Sequence, residues 1–397
     1  MSRLILRITY SERDPIQRFS NSWWRWLVFP LSLIFLCLSF ALITGFNYPF
    51  RGDEGHFVST INSFSNTFNP AASLDYPEVT GPLFYYMFAG WGKLSGSGIE
   101  SLRAFNLILS VIAIVLLYLL YGRVLGTLRT VLPGILLLLL NPYFLGLSMH
   151  VFTDMTALLF IVLAVIAVYK RNPLLLFASI SCALLVRQYS VFIVISSILF
   201  FVLSYSKQNT FRTKEFFALA AGCVPLIVMM IFWKGIAPPS GVERWIISDG
   251  SDYRFRYIFI YIIFLAAYIF PLILYYFKTL FRDLKVIISG LSVSLLYLFF
   301  PVHSSSVTLE QTGRTTVGLM HRFIIEFLGN YYLEQFVLWV LCWAGSVTLF
   351  SIITLDYKAL KEGKCEFGLF LTLSVIVFLL IMPFSYQVWE KYLVMIL

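Results

Sequence analysis

Long apolar runs separated by short polar ones set the rhythm of this chain. Measured against the roughly 20 residues that cross a bilayer, they predict helices near 24–46, 101–121, 130–148, 153–169, 173–186, 190–205, 216–234, 255–277, 285–301, 334–355 and 367–386. The expected fold is therefore an all-α polytopic membrane protein with about 11 transmembrane helices, arranged as a single membrane domain over 1–397. The pair 173–186 and 190–205 is short. At 1.5 Å per residue a 14-residue helix reaches only about 21 Å, so the junction Arg187-Gln188 is expected below the membrane surface, with Arg187 recessed.

Between the first two runs the pattern changes. Arg51-Gly52-Asp53-Glu54-Gly55-His56-Phe57 puts two adjacent carboxylates at the far mouth of the first span. Asp53 is a natural N-cap, and Phe57, Ile61, Phe64 and Phe68 recur at helical spacing, which predicts an interfacial helix lying in the membrane surface. The aromatic segment 83–97 ends in Ser95-Gly96-Ser97-Gly98 and predicts a second interfacial or re-entrant piece.

Composition agrees with a membrane chain: 59% of residues are hydrophobic and only 12% charged, against about 25% charged in soluble domains. Arg3, Arg7, Arg13, Arg18 and Arg25 precede and enter the first run without a small-residue cleavage site, which predicts a retained helix and no signal peptide. The formal charge of +9 comes from basic residues scattered over short loops, which argues against nucleic acid. Starting inside, the predicted spans put 18 of the 29 Lys and Arg residues on the cytoplasmic side. The acidic loop 47–100 then faces outward. This predicts a site on the outer face of the plasma membrane, or a lumenal one in the endoplasmic reticulum of a eukaryote.

The five cysteines and four histidines fit neither a disulfide framework nor metal-ligand spacing, so no cofactor is expected, while a divalent ion held by carboxylates stays open. Asp53 is the candidate general base for a hydroxyl acceptor; Glu54, His56 and Asp154 are candidates for supporting the base or binding the acceptor. Arg187 is the first candidate for holding a phosphate through its forked guanidinium, with Arg314, Arg322 and Lys391 behind it. Each has a plainer alternative: Thr153/Asp154 as a helix cap, Arg187 as half of a structural ion pair, the loop cations as solvated charges. Two classes of function fit these residues, a glycosyltransferase at a membrane surface and a transporter or flippase for a lipid-linked saccharide.

Several short pieces, in order, carry a resemblance: Asp53-Glu54-Gly55-His56-Phe57, the run from Tyr76 to Tyr85, Leu102-Arg103-Ala104-Phe105-Asn106-Leu107, Phe152-Thr153-Asp154, Arg187-Gln188 and Trp389-Glu390-Lys391-Tyr392-Leu393. Together they resemble the GT-C superfamily of membrane glycosyltransferases, most closely the dolichyl-phosphate-glucose α-1,2-glucosyltransferases. The resemblance implies an inverting transfer from a polyprenyl-phosphate sugar donor to a glycolipid or glycan acceptor on the extracytoplasmic face, with Asp53 as base. It implies membrane lipid as surroundings and predicts no protein partner. The chain departs from that family in its Thr80-Gly81-Pro82 turn, and the absence of an N-x-[ST] sequon argues against a glycosylating secretory pathway.

Overall fold

A computed structural model describes residues 23–125, 128–208, 212–245, 253–302, 316–364, 367–385 and 387–396. Among them the regular structure is helical throughout. In chain order the helices are α1 (Trp23–Thr44), α2 (Glu54–Thr67), α3 (Pro82–Ser95), α4 (Ile99–Leu125), α5 (Leu128–Leu139), α6 (Pro142–Met149), α7 (Thr153–Lys170), α8 (Pro173–Val186), α9 (Val191–Gln208), α10 (Thr213–Trp233) and α11 (Pro239–Trp245). They continue with α12 (Arg256–Tyr268), α13 (Phe270–Tyr275), α14 (Phe277–Leu280), α15 (Leu284–Tyr297), α16 (Leu319–Leu328), α17 (Tyr331–Lys361) and α18 (Phe367–Ile381).

Each predicted apolar run became helix, but not each became an unbroken span. Among the described residues, six helices are long and apolar enough to cross a membrane, or seven when the bent pair α5–α6 counts as one. Four shorter apolar helices make up the rest, in α1, α8, α12 and α15. The run 130–148 bends by 61° before Pro142, and the run 255–277 breaks at Ile269, just before Pro271, and again at Tyr276. Proline supplies no N–H to the preceding turn and its ring displaces a carbonyl there, so an apolar run containing one need not be straight.

The helix starts follow local chemistry. Proline occupies the first turn of α3, α6 and α8, where a missing N–H costs nothing. Asn141 caps Tyr143 and Phe144, Asn172 caps Leu175, and Asn330 caps Tyr332 and Leu333.

The described parts of Met1–Ser190 and Phe217–Trp245 form one compact unit, and those of Val191–Phe216 and Ile246–Leu397 form a second. In the first unit, α2 does not turn its apolar stripe to lipid as expected. Phe57, Ile61 and Phe64 are buried against α3, where Phe57 meets Phe84 and Phe64 meets Tyr85 edge to face or tilted. Phe68 lies past the stripe, exposed, in a left-handed backbone that ends the helix. An aromatic layer of Phe84, Tyr85 and Phe88 thus supports α2 from below; all three are fully buried.

In the second unit, the C-terminal segment is clamped by one carboxylate. Glu390 is buried, accepts from the Met320 and His321 amides at the start of α16, and accepts from the Tyr268 hydroxyl of α12. A negative charge at a helix N-terminus meets both unsatisfied N–H groups and the positive end of the helix dipole.

Candidate active site

The site is built in the first unit by five pieces of chain that anchor one another. The innermost is a carboxylate–guanidinium pair. Arg103, on α4, donates from Nε to Glu54 Oε1 at 2.8 Å and from Nη2 to Glu54 Oε2 at 2.7 Å. The same guanidinium donates to the Phe46 and Tyr48 carbonyls and lies 3.9 Å from the Tyr48 ring centre. One turn further along α4, Asn106 donates to the carbonyls of Leu147, Ser148 and His150. One face of α4 therefore ties down both the loop leading to Asp53 and the loop leading to Asp154.

Glu54 is saturated by these contacts. Besides Arg103 it takes the Val151 amide at 2.9 Å and stands 2.8 Å from His150 Nδ1. Burial pushes its carboxyl upward, but the bonds from Arg103, His150 and the Val151 amide outweigh it and hold the group at about 2. Glu54, expected to support the base or meet the acceptor, is 0% exposed, and its oxygens are engaged within the protein, where they tie the 51–57 and 150–154 segments together.

Asp53 stands at the position that precedes α2, as expected, but its side chain makes no capping bond to the helix. The residue is half-buried. His56, one turn on, is exposed, and its Nδ1 lies 2.9 Å from Arg244 Nη2.

Asp154 is fully buried in the first turn of α7, where Phe152 and not Thr153 or Asp154 takes the cap position. Arg187 donates from Nη2 to Asp154 Oδ2 at 2.9 Å and the Tyr189 hydroxyl donates to Oδ1 at 3.2 Å. Arg187 is 8% exposed, in extended backbone between the end of α8 and a 3₁₀ turn at Gln188–Ser190. The junction of the two short helices thus leaves Arg187 buried, with an ion-pair partner supplied by the neighbouring helix.

The fourth piece is the loop 76–81. Gly81 donates its amide to the Val186 carbonyl at 3.0 Å and approaches α8 so closely that a Cβ there would lie 2.0 Å from the Leu185 carbonyl oxygen. Only glycine permits that approach. Gln188 donates to the Val79 carbonyl, the Tyr76 hydroxyl donates to the Thr80 carbonyl, and Thr80 Oγ1 bonds the Tyr85 hydroxyl. The loop presents Glu78, which is 3% exposed.

The fifth piece, α11, lies over that loop. Asp75 accepts from the amide and hydroxyl of Ser240 at 2.9 and 2.7 Å, and a Cβ on Gly241 would lie 2.4 Å from the Glu78 carbonyl oxygen. Arg244 follows, its Nη1 3.9 Å from Glu78 Oε1. Burial raises the Glu78 carboxyl to about 7; Arg244 and Arg187 draw it down and Asp53 pushes it up. Asp53, Glu78, Arg187 and Arg244 thus share one electrostatic neighbourhood.

Arg103, Glu78 and Arg244 were not among the candidates. Leu102-Arg103 and the run through Glu78 stood among the family-like pieces, and an arginine inside an apolar helix is itself a signal. Of the remaining phosphate candidates, two belong to the second unit. Arg322 is exposed in the second unit and pairs with Glu326 at 3.0 Å, one turn away. Lys391, also in the second unit, stands over its neighbour Tyr392. Arg314 lies outside the described residues. Among the described residues no group of three or more His, Cys, Asp or Glu side chains is arranged for a metal ion.

Residues 77–233 match the family model of dolichyl-phosphate-mannose-protein mannosyltransferases, a GT-C type of glycosyltransferase. The match spans about two fifths of the chain and includes Glu78, Arg103, His150, Asp154 and Arg187. It supports a polyprenyl-phosphate-sugar glycosyltransferase of the GT-C superfamily. No curated protein and no solved structure gives a significant match.

Proposed function

We propose that the protein transfers a hexose from a polyprenyl-phosphate donor to a hydroxyl of a glycolipid or glycan, with inversion, at the extracytoplasmic face of its membrane. The observation that carries this reading is the shared neighbourhood of Asp53, Glu78, Arg187 and Arg244, which sets acids beside cations in an apolar helical unit. A hydrophilic acceptor needs a base, and a departing phosphate needs a cation.

Asp53 is the base in this scheme. As the acceptor oxygen bonds to the anomeric carbon, its proton passes to the Asp53 carboxylate. The bond from the anomeric carbon to the phosphate oxygen breaks, and its electron pair leaves with polyprenyl phosphate. One displacement from the side opposite the phosphate inverts the configuration. Arg187 meets the phosphate, and Asp154 with Tyr189 fixes the guanidinium in place. Glu54 and Arg103 keep the Asp53 loop in register. The excess of Lys and Arg in the loops read as cytoplasmic supports this orientation by the positive-inside rule.

Purified Asp53→Asn tests the scheme with polyprenyl-phosphate mannose and glucose as donors and release of polyprenyl phosphate as readout. Loss of a general base lowers the rate by roughly two to four orders of magnitude. Wild-type turnover in a folded Asp53→Asn protein would falsify the assignment.

A further inference from the structure

Glu78 is a buried carboxyl that the scheme above does not use. Its Oε1 has no hydrogen-bond partner among the described residues, and its nearest cation, Arg244 Nη1 at 3.9 Å, is beyond hydrogen-bond distance. Withholding bonds from a buried carboxyl costs free energy. Yet the backbone around it is held rigidly, by Gly241 above, by the bond from Gln188 to Val79, and by the bond from Tyr76 to Thr80. A loop this well fixed, carrying an acid this poorly satisfied, points to a role for the charge itself.

The groups that face Glu78 come from every element around it. Asp53 comes from the start of α2, Tyr85 from α3, Arg187 from the end of α8 and Arg244 from α11, the last bonded in turn to His56 of α2. Tyr76 belongs to its own loop. The one acid in that set is Asp53, the residue assigned as base.

We infer that Glu78 is a positioning carboxyl for the transfer reaction: through its negative field it keeps Asp53 a competent proton acceptor. This rests on the transferase reading. An aspartate near its ordinary value of about 3.9 is a weak base at neutral pH, and a neighbouring negative charge raises its affinity for a proton. Glu78 exchanges no bond in the step; the acceptor's proton still ends on Asp53. Because burial holds Glu78 near 7, its charge, and with it the strength of the base, is present above neutrality and lost below it.

The test follows polyprenyl phosphate release by the purified full chain from about pH 5 to 9, for wild type, Glu78→Gln and Glu78→Asp. The wild-type rate should rise through a limb near pH 7. Glu78→Gln should lack that limb and turn over roughly tenfold more slowly at its plateau, about one unit of lost basicity, with KM for the acceptor unchanged. Glu78→Asp should restore a limb. A limb that persists in Glu78→Gln overturns the inference; so does a raised KM with intact kcat, which would make Glu78 a binding group. Infrared difference spectra provide a readout apart from turnover. A protonated-carboxyl carbonyl band should vanish as pH rises through neutrality in wild type and be missing in Glu78→Gln; its absence from wild type overturns the inference as well. A wild-type protein that binds polyprenyl phosphate but never releases it from a donor would instead sink the transferase reading, and this inference with it.

Discussion

Arg103 grips Glu54 through two parallel bonds at 2.8 and 2.7 Å, and neither side chain is exposed to solvent. The geometry is the forked one that gives arginine its advantage over lysine at carboxylates. Removing one member leaves the other charge buried without its partner, at a cost of about 3–5 kcal/mol. Glu54→Gln and Arg103→Met should therefore each lower the thermal midpoint of the detergent-purified protein markedly. Arg103→Lys should fall between them and wild type. If all three melt with wild type, the pair does not hold the site together.

The same carboxylate should leave a mark on acid stability. Folding holds Glu54 at about 2, below its ordinary 4.5. Between those values the unfolded chain binds more protons than the folded one, so stability falls as pH falls. The contribution is complete above about pH 4.5 and lost towards pH 2. Acid unfolding followed by tryptophan fluorescence should be shallower for Glu54→Gln in this window. Equal slopes for both proteins would show that Glu54 is not the group responsible.

Two glycines set the height of the loop that carries Glu78. A Cβ at Gly81 would meet the Leu185 carbonyl oxygen at 2.0 Å, and one at Gly241 would meet the Glu78 carbonyl oxygen at 2.4 Å. Both neighbours are backbone and cannot rotate away. Gly81→Ala and Gly241→Ala should each destabilise by roughly 1–3 kcal/mol or more, the range for overpacking, with Gly81→Ala the worse. Wild-type unfolding midpoints in both variants would mean that the loop is not pinned as described.

The helices were legible in the chain because apolar runs report burial in lipid or protein directly, and Asn, Asp and Pro before a run report its start. Proline's effect on a run was harder to read: α5–α6 bends and α12–α14 breaks, while α10 contains Pro225 and stays one helix. The site was half legible. Asp53, Asp154 and Arg187 stand out as charges at the ends of apolar runs. Periodicity cannot say what a charge meets across the fold, so the Arg103–Glu54 pair, 49 residues apart, was out of reach. It also cannot distinguish a stripe that faces lipid from one that faces a neighbouring helix, and the stripe of α2 packs on α3.

Orientation rests on charge counts, and labelling tests it independently. In a background without the five native cysteines, a cysteine at Ser97, exposed between α3 and α4, should react with an impermeant thiol reagent added outside intact cells. One at Ser206, exposed near the end of α9, should react only after permeabilisation. The reverse pattern would put Asp53 and Glu78 on the cytoplasmic face.

Arg187 raises the sharpest question about the site, because its bond to Asp154 is compatible with two roles. As a structural ion pair, the two charges satisfy each other and removing either one costs stability. As a donor clamp, Asp154 aims the guanidinium and the phosphate arrives on it. A double-mutant cycle separates these, with titration of polyprenyl phosphate into the purified protein and thermal unfolding as the two readouts. On the clamp reading, Arg187→Met should weaken polyprenyl phosphate binding by at least about tenfold, in the range of a lost charged hydrogen bond. It should do so in both the wild-type and the Asp154→Asn background, because the phosphate contact does not depend on the partner's charge. Arg187→Lys keeps the charge without the fork and should lose less. Asp154→Asn alone should retain binding, since removing a nearby negative charge does not weaken the attraction of Arg187 for an anion. If Arg187→Met instead lowers the thermal midpoint and leaves affinity unchanged, the arginine serves the fold and Arg244, on the same side of the first unit, becomes the cation to test for the phosphate.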